Sequence, residues 1–266
     1  MNTPELSYFD VLAAALLILL NGAISLYLQL GLGRKLAVAA VRTVVQLFLV
    51  GFVLEWVFQL QRWPVVLLLA GLMTVIAGLS AVGRSERRYP GMTWDSLLSM
   101  WLSCWGVSAY AIFVVWKGMT PWYHPQVVIP LIGMILGNSL NGVSLGLNRL
   151  TDDLSNRRDQ IELLLVLGAT RWEAGQGSLR EALRTGMIPI LNSMLIVGIV
   201  SLPGMMTGQI LGGVSPIEAV KYQVVIMFLI AATNALGTLG VVLLAYRRLF
   251  NREHQFLWRQ IETVRK

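Results

Sequence analysis

Apolar and polar positions along this chain fall into blocks as long as a membrane crossing, rather than the short helical rhythm of a soluble bundle. A helix needs about 20 predominantly apolar residues to cross the hydrocarbon core of a bilayer. Stretches near that length recur at Phe9–Leu30, Val38–Phe58, Trp63–Val82, Ser96–Val115, Val127–Leu147, Gly186–Leu211 and Val220–Tyr246. They predict an all-α membrane protein with about seven transmembrane helices. The whole of residues 1–266 reads as one polytopic domain, with no soluble part large enough to bury a core of its own. Composition agrees: 56% of residues are hydrophobic, 13% are charged, and the mean hydropathy is +0.66, far from the mix of a soluble domain.

The longest polar interruption is Arg149–Gly186. It carries Asp152, Asp153, Arg157, Arg158, Asp159, Glu162, Arg171, Glu173, Arg180, Glu181 and Arg184. An apolar stripe nevertheless persists through it, with Ile161, Leu164, Leu165, Leu167 and Trp172 at roughly helical spacing. The pattern predicts an amphipathic helical segment between spans five and six, held on one side of the bilayer. Such a segment offers a docking surface to a soluble partner.

Charge sets the orientation. Arg34, Lys35 and Arg42 follow span one, and Arg84, Arg87 and Arg88 follow span three. Six arginines lie between Arg149 and Arg184, and six more basic residues lie in the tail from Arg247 to Lys266. The opposite face holds only Arg62, Lys117 and Lys221. Basic loops stay cytoplasmic, so the N-terminus is expected outside and the C-terminus inside. Residues 149–186 then form a cytoplasmic coupling segment, and 247–266 a basic cytoplasmic tail. The net charge of +7 reports this topology and contact with membrane lipid, not nucleic-acid binding. Glu5 and Asp10 precede span one without a basic region, which does not resemble a cleaved signal peptide. Cys104, the single cysteine, lies within span four and reads as a buried apolar thiol.

Catalytic constellations are sparse. His124 falls in an outer loop and His254 in the tail, so no histidine pair has metal-binding spacing. No GxxxxGK[ST] phosphate loop occurs, so ATP hydrolysis by that route does not belong to this chain. Glu55 lies near the outer end of span two and Asp95 near the inner start of span four. Carriers driven by protons or sodium place ionisable groups nearer mid-membrane. These absences argue against a membrane-embedded enzyme and against a self-sufficient carrier, so the chain is expected not to be an enzyme.

The polar groups expected at membrane depth are neutral. Asn138, Asn141 and Asn148 lie along span five, serving either as hydrogen-bonding glue between helices or as a stripe along a translocation path. Gly133, Gly137, Gly142 and Gly146 form small-xxx-small pairs that let helix backbones approach closely. Arg42 and Gln46 sit one turn apart at the cytoplasmic start of span two, as a snorkelling pair or as part of the path. Span six carries Asn192 and Gln209, and Pro203-Gly204 predicts a break in it. Broken backbone at membrane depth is tolerated where it lines a cavity. Met205 and Met206 are either filler or soft thioether ligands. The candidate substrate path is thus Arg42, Gln46, Asn138, Asn141, Asn192, Pro203, Gly204, Met205, Met206 and Gln209; no metal-ligand set is assigned.

Glu162, followed six positions later by Gly168 and then by Ala169, Arg171 and Trp172, resembles the cytoplasmic EAA-type loop of ABC transporter permeases. Further strings appear in order: Val41-Arg42 to Gln46-Leu47, Gly137-Asn138-Ser139-Leu140-Asn141, Leu167-Gly168-Ala169, and Leu202-Pro203-Gly204-Met205-Met206-Thr207-Gly208-Gln209-Ile210-Leu211-Gly212-Gly213. Together they are similar to the FetB-type permease family, which includes bacterial iron-export permeases and plant aluminium-tolerance permeases. The resemblance spans nearly the whole chain. It implies a permease that pairs with a second copy of itself and binds a separate cytoplasmic ABC ATPase. ATP and Mg would then sit on that ATPase, with no cofactor on this chain. The coupling residues would be Glu162, Leu167, Gly168, Ala169, Arg171 and Trp172. It also implies a bacterial cytoplasmic membrane and export of an iron-like metal ion. Export of a nucleotide sugar such as UDP-glucose, or an ATP-independent carrier, are the alternatives.

Overall fold

A computed structural model of the chain describes residues 7–251 and 253–263. The chain divides into two compact units, Met1–Arg62 and Trp63–Lys266.

The first unit is a helical hairpin of α1 (Tyr8–Tyr27) and α2 (Gly33–Leu60). Helix α1 opens on a capping box: Ser7 accepts the Phe9 N–H, and the Asp10 carboxylate accepts the Ser7 N–H. The connecting turn needs the left-handed region at Gly31, where φ is 66°. Ser25 ties it down by accepting the Leu32 N–H at 3.1 Å. Arg42 and Gln46 lie on exposed faces of α2 within this unit.

In the second unit, α3 (Trp63–Gly83) leads to a short strand β1 (Arg87–Arg88). Next come α4 (Met92–Met100) and α5 (Gly106–Tyr110), which are joined and followed by π-helical turns at Trp101–Trp105 and Ala111–Val115. The run Met92–Val115 thus stays helical throughout. Helix α6 (Pro125–Asn156) is followed by α7 (Arg158–Val166), α8 (Arg171–Ile196), α9 (Gly204–Leu211) and α10 (Pro216–Leu249). Helices α6, α8 and α10 pack on one another at the centre, with α3 against α6 and α4 against both α3 and α10.

The protein is an all-helical membrane protein. Among the described residues five helices are long and apolar enough to cross a bilayer: Gly33–Leu60, Trp63–Gly83, Met92–Val115, Pro125–Asn156 and Pro216–Leu249. Ala13–Tyr27 is a shorter apolar stretch. These helices overrun the predicted spans because helical hydrogen bonding continues past the apolar core into polar turns, so hydropathy alone misses their ends. The stretch Gly186–Leu211 is not one helix. Helix α8 stops at Ile196, and residues 197–203 are non-helical. Gly198 adopts φ 82°, and Pro203 caps α9. The break therefore begins at Val197, six residues before the predicted Pro203-Gly204 site. Pro189, inside α8, does not end that helix.

Close packing centres on glycine. A Cβ at Gly142 of α6 would collide with the Asn234 amide of α10, and one at Gly146 would lie 2.8 Å from Thr238 Cγ2. The buried Asn234 donates through Nδ2 to the Gly186 carbonyl of α8 at 3.0 Å. One amide thus stitches three helices where two glycines remove the side chains in its way. At the polar end, the buried Asp95 carboxylate receives both Arg248 Nε and Nη2 at 2.8 Å, and the Tyr89 hydroxyl at 3.0 Å. Burial, then the neighbouring carboxylate, push the Tyr89 phenol well above its ordinary range and keep it a donor.

The tail is more than a basic extension. Strand β2 (Glu262–Thr263) pairs antiparallel with β1. Phe250 stacks on Phe256 with ring centroids 5.0 Å apart. The Arg158 guanidinium lies 3.4 Å from the centroid of the Trp258 ring. The described tail residues therefore fold back on the loops beside α7.

Candidate coupling surface and translocation cavity

Two short-range signals shape the α7–α8 turn. Gly168 takes φ 91°, a conformation that L side chains rarely adopt. Thr170 then opens α8 with a capping box, accepting the Glu173 N–H while the Glu173 carboxylate accepts the Thr170 N–H at 2.7 Å. Those hydrogen bonds, backbone first, hold the Glu173 carboxyl below its ordinary range. Arg158 Nε meets Glu162 Oε1 at 3.2 Å, one turn apart. The Ala169 N–H returns to Leu164 O at 3.0 Å. Arg171 donates its N–H to His254 Nδ1 at 2.9 Å and its guanidinium to Asn251 O at 3.1 Å. Trp172 meets Tyr246 edge-on at 6.1 Å.

Leu167, Gly168 and Ala169 thus lie on the turn itself, Arg171 and Trp172 open α8 beside it, and Glu162 sits within α7; the turn presents apolar surface. Leu167 is 74% exposed and Trp172 53% exposed, beside exposed Leu163, Leu164 and Val166. Exposed apolar side chains thus cluster along a segment that is otherwise polar.

The predicted path residues part company. A cavity of about 300 Å³ opens between α6, α8, the 197–203 break, α9 and α10. Asn138, Pro203, Gly204 and Met205 line it, with Met134, Ser193, Ser201, Gln223 and Met227. Met206 lines a neighbouring cavity of about 350 Å³, which shares Pro203, Gln223 and Met227. The other candidates lie elsewhere. Asn141 accepts from Arg84 at 2.8 Å, so it anchors the turn after α3. Asn148 does the same, accepting the Glu86 N–H. Asn192 is exposed and lines neither cavity. Gln209 also lines neither, and its Oε1 is buried without a partner. Arg42 and Gln46 belong to the first unit. Three and ten residues from Asn138 is close to one helical face, but α6 has different neighbours along its length, so residues on one stripe meet different surroundings.

Sequence reasoning missed Gln223. It is 7% exposed, lines both cavities, and its Oε1 has no partner. A single amide near the start of a predicted span looks like boundary polarity; only packing turns it inward. Asn234, the three-helix stitch, was equally silent within its apolar run. Among the described residues no group of three or more His, Cys, Asp or Glu side chains could hold a metal ion.

Comparison with known proteins matches residues 8–250 to the family described as "Uncharacterised protein family (UPF0014)". The chain belongs to the UPF0014 family. It is 40% identical to the UPF0014 membrane protein slr1647 of Synechocystis, covering 95% of this chain and 97% of that protein. It is 30% identical to the "Probable iron export permease protein FetB" of Escherichia coli, covering 98% and 99%. It is 31% identical to the protein ALUMINUM SENSITIVE 3 of Arabidopsis thaliana, covering 91% and 88%. No solved structure matches. The UPF0014 chain is thus an integral membrane protein, and its family membership is in line with the FetB-type resemblance read from the Leu202–Gly213 string.

Proposed function

We propose that this permease is the membrane half of an ABC exporter, paired with a second copy of itself in a bacterial cytoplasmic membrane. A separate cytoplasmic ATPase, which holds ATP and Mg, powers it. The observation that carries this reading is the exposed Leu167–Trp172 knob. It is mounted on α7 and α8 and tied through Arg171 and Trp172 to the end of α10. Movement of a partner at that knob reaches the broken α8–α9 segment through a single helix. Co-purification of an ABC ATPase with the tagged permease, and ATP-dependent transport by the reconstituted pair, test it. A permease that transports alone would overturn it.

In this reading α8 and α9 together make one broken crossing, giving seven crossings with the N-terminus outside. Cysteine at Lys117 should label from outside and cysteine at Arg180 from the cytoplasm; the reverse pattern would sink the topology.

The cargo is a metal ion, as the name of the Escherichia coli relative has it. Amide oxygens and thioethers around the α6–α10 cavity give weak, passing coordination, which suits an exporter that must release what it binds. The same amides and serines would also hydrogen-bond the hydroxyls of a nucleotide sugar. ATPase stimulation by metal salts or by nucleotide sugars separates the two. Asn138→Leu with Gln223→Leu should lower the stimulation at least several-fold and leave basal turnover unchanged. An unaltered response would remove this cavity from the path.

A further inference from the structure

A groove of about 370 Å³ runs between α4 with its first π-helical turn on one side and α10 on the other. Its walls are Leu98, Leu102, Leu236, Leu243 and Leu244, with Gly240 among its lining residues. The two serines that reach it are already satisfied: Ser99 donates to Gly237 O and Ser103 to Ser99 O. The groove therefore offers no free hydrogen-bond donor along its length. Its one charged group is Arg247, at the end nearest the tail.

Arg247 differs from its neighbour. Arg248 is neutralised by Asp95, whereas Arg247 has no hydrogen bond or ion pair among the described residues. It also lines an adjoining recess of about 580 Å³ with Arg171, Phe250 and Asn251. Two guanidinium groups thus share a recess that, among the described residues, no carboxylate lines. From Leu236 to Arg247 the helix rises about 16 Å at 1.5 Å per residue, roughly half of the 30 Å hydrocarbon core. The groove has the length of one leaflet, has mainly apolar walls, and ends on a guanidinium that has no ion pair among the described residues.

We propose that this groove is a binding site for an anionic phospholipid, with an acyl chain along α10 and the phosphate on Arg247 beside Arg171. The charge argues against a helix from a second copy as occupant. Such a helix would have to bring a carboxylate to the Arg247 end, while the lipid brings its phosphate to that depth in any case.

Native mass spectrometry of the permease with equal amounts of phosphatidylglycerol and phosphatidylcholine tests the site. The wild-type protein should retain phosphatidylglycerol preferentially. Arg247→Gln should weaken that retention about fivefold, the effect of one basic side chain at an anionic surface, and Arg247→Lys should restore most of it. Leu243→Trp, which fills the groove and leaves the charge, should weaken retention as well. Millimolar inorganic phosphate should not displace the lipid. Equal retention of both lipids, no change with Arg247→Gln and Leu243→Trp, or displacement by phosphate alone would overturn the proposal. So would cross-linking of Leu243→Cys to a second copy in the membrane.

Discussion

Replacing Leu167 and Trp172 together by alanine is expected to weaken ATPase association at least about thirtyfold, the loss of a single interface anchor worth 2 kcal/mol or more. The expectation rests on what these side chains do in the permease alone. Leu167 is three-quarters exposed, and Trp172 is half-exposed against the edge of Tyr246. Neither fills the core, so truncation should cost the fold little and leave insertion and the thermal midpoint near wild type. What it removes is the apolar tip of a turn whose shape is fixed independently by Gly168 and by the Thr170–Glu173 box. Large apolar side chains on a rigid mount fit anchors that enter a pocket of the partner. Pull-down of the ATPase by the double variant, measured beside membrane abundance, is the check. Undiminished pull-down would show that the partner docks elsewhere.

The sharp turn at Gly168 was legible in the sequence because its determinants are local. The glycine with positive φ, the capping box and the apolar residues all lie within a few positions of one another, where spacing maps directly onto geometry. The helical membrane architecture was legible for a similar reason, since a bilayer imposes a length on each apolar run. The cavity was legible only in part. Asn138, Pro203, Gly204 and Met205 meet in it because the predicted break exists, although it starts at Val197. Asn141 and Gln209 carry the same kind of amide, yet their destinations depend on long-range partners that composition does not encode. Arg84 claims the first, and packing around α9 buries the second. Gln223 illustrates the converse: an amide that looks peripheral becomes the unpartnered polar atom between two cavities. How the tail folds back was not legible for the same reason, because the pairing of β2 with β1 and of Trp258 with Arg158 joins segments far apart in the chain.

Two glycines of one helix give opposite expectations. Gly186 and Gly177 both lie in α8, and by helix propensity alone alanine should favour either site by up to about 1 kcal/mol. Their surroundings decide otherwise. A Cβ at Gly186 would lie 2.6 Å from Thr238 Cγ2 and 2.8 Å from the Gly142 carbonyl oxygen. The threonine methyl can rotate away, but the carbonyl is backbone and cannot yield unless α6 and α8 separate. That separation would also pull the Gly186 carbonyl from Asn234 Nδ2, leaving a buried amide with one partner fewer. Overpacking of this kind costs about 1–3 kcal/mol, and a buried polar group left unsatisfied costs about as much again. These losses outweigh the propensity gain. Gly186→Ala is therefore expected to lower the thermal midpoint of the detergent-solubilised permease and its yield from membranes. Gly177 has nothing within 4 Å of the position its Cβ would take and is exposed. Gly177→Ala should leave the midpoint unchanged or raise it. Equal behaviour of the two variants would mean that α6, α8 and α10 do not meet as closely as Gly142, Gly186 and Asn234 require.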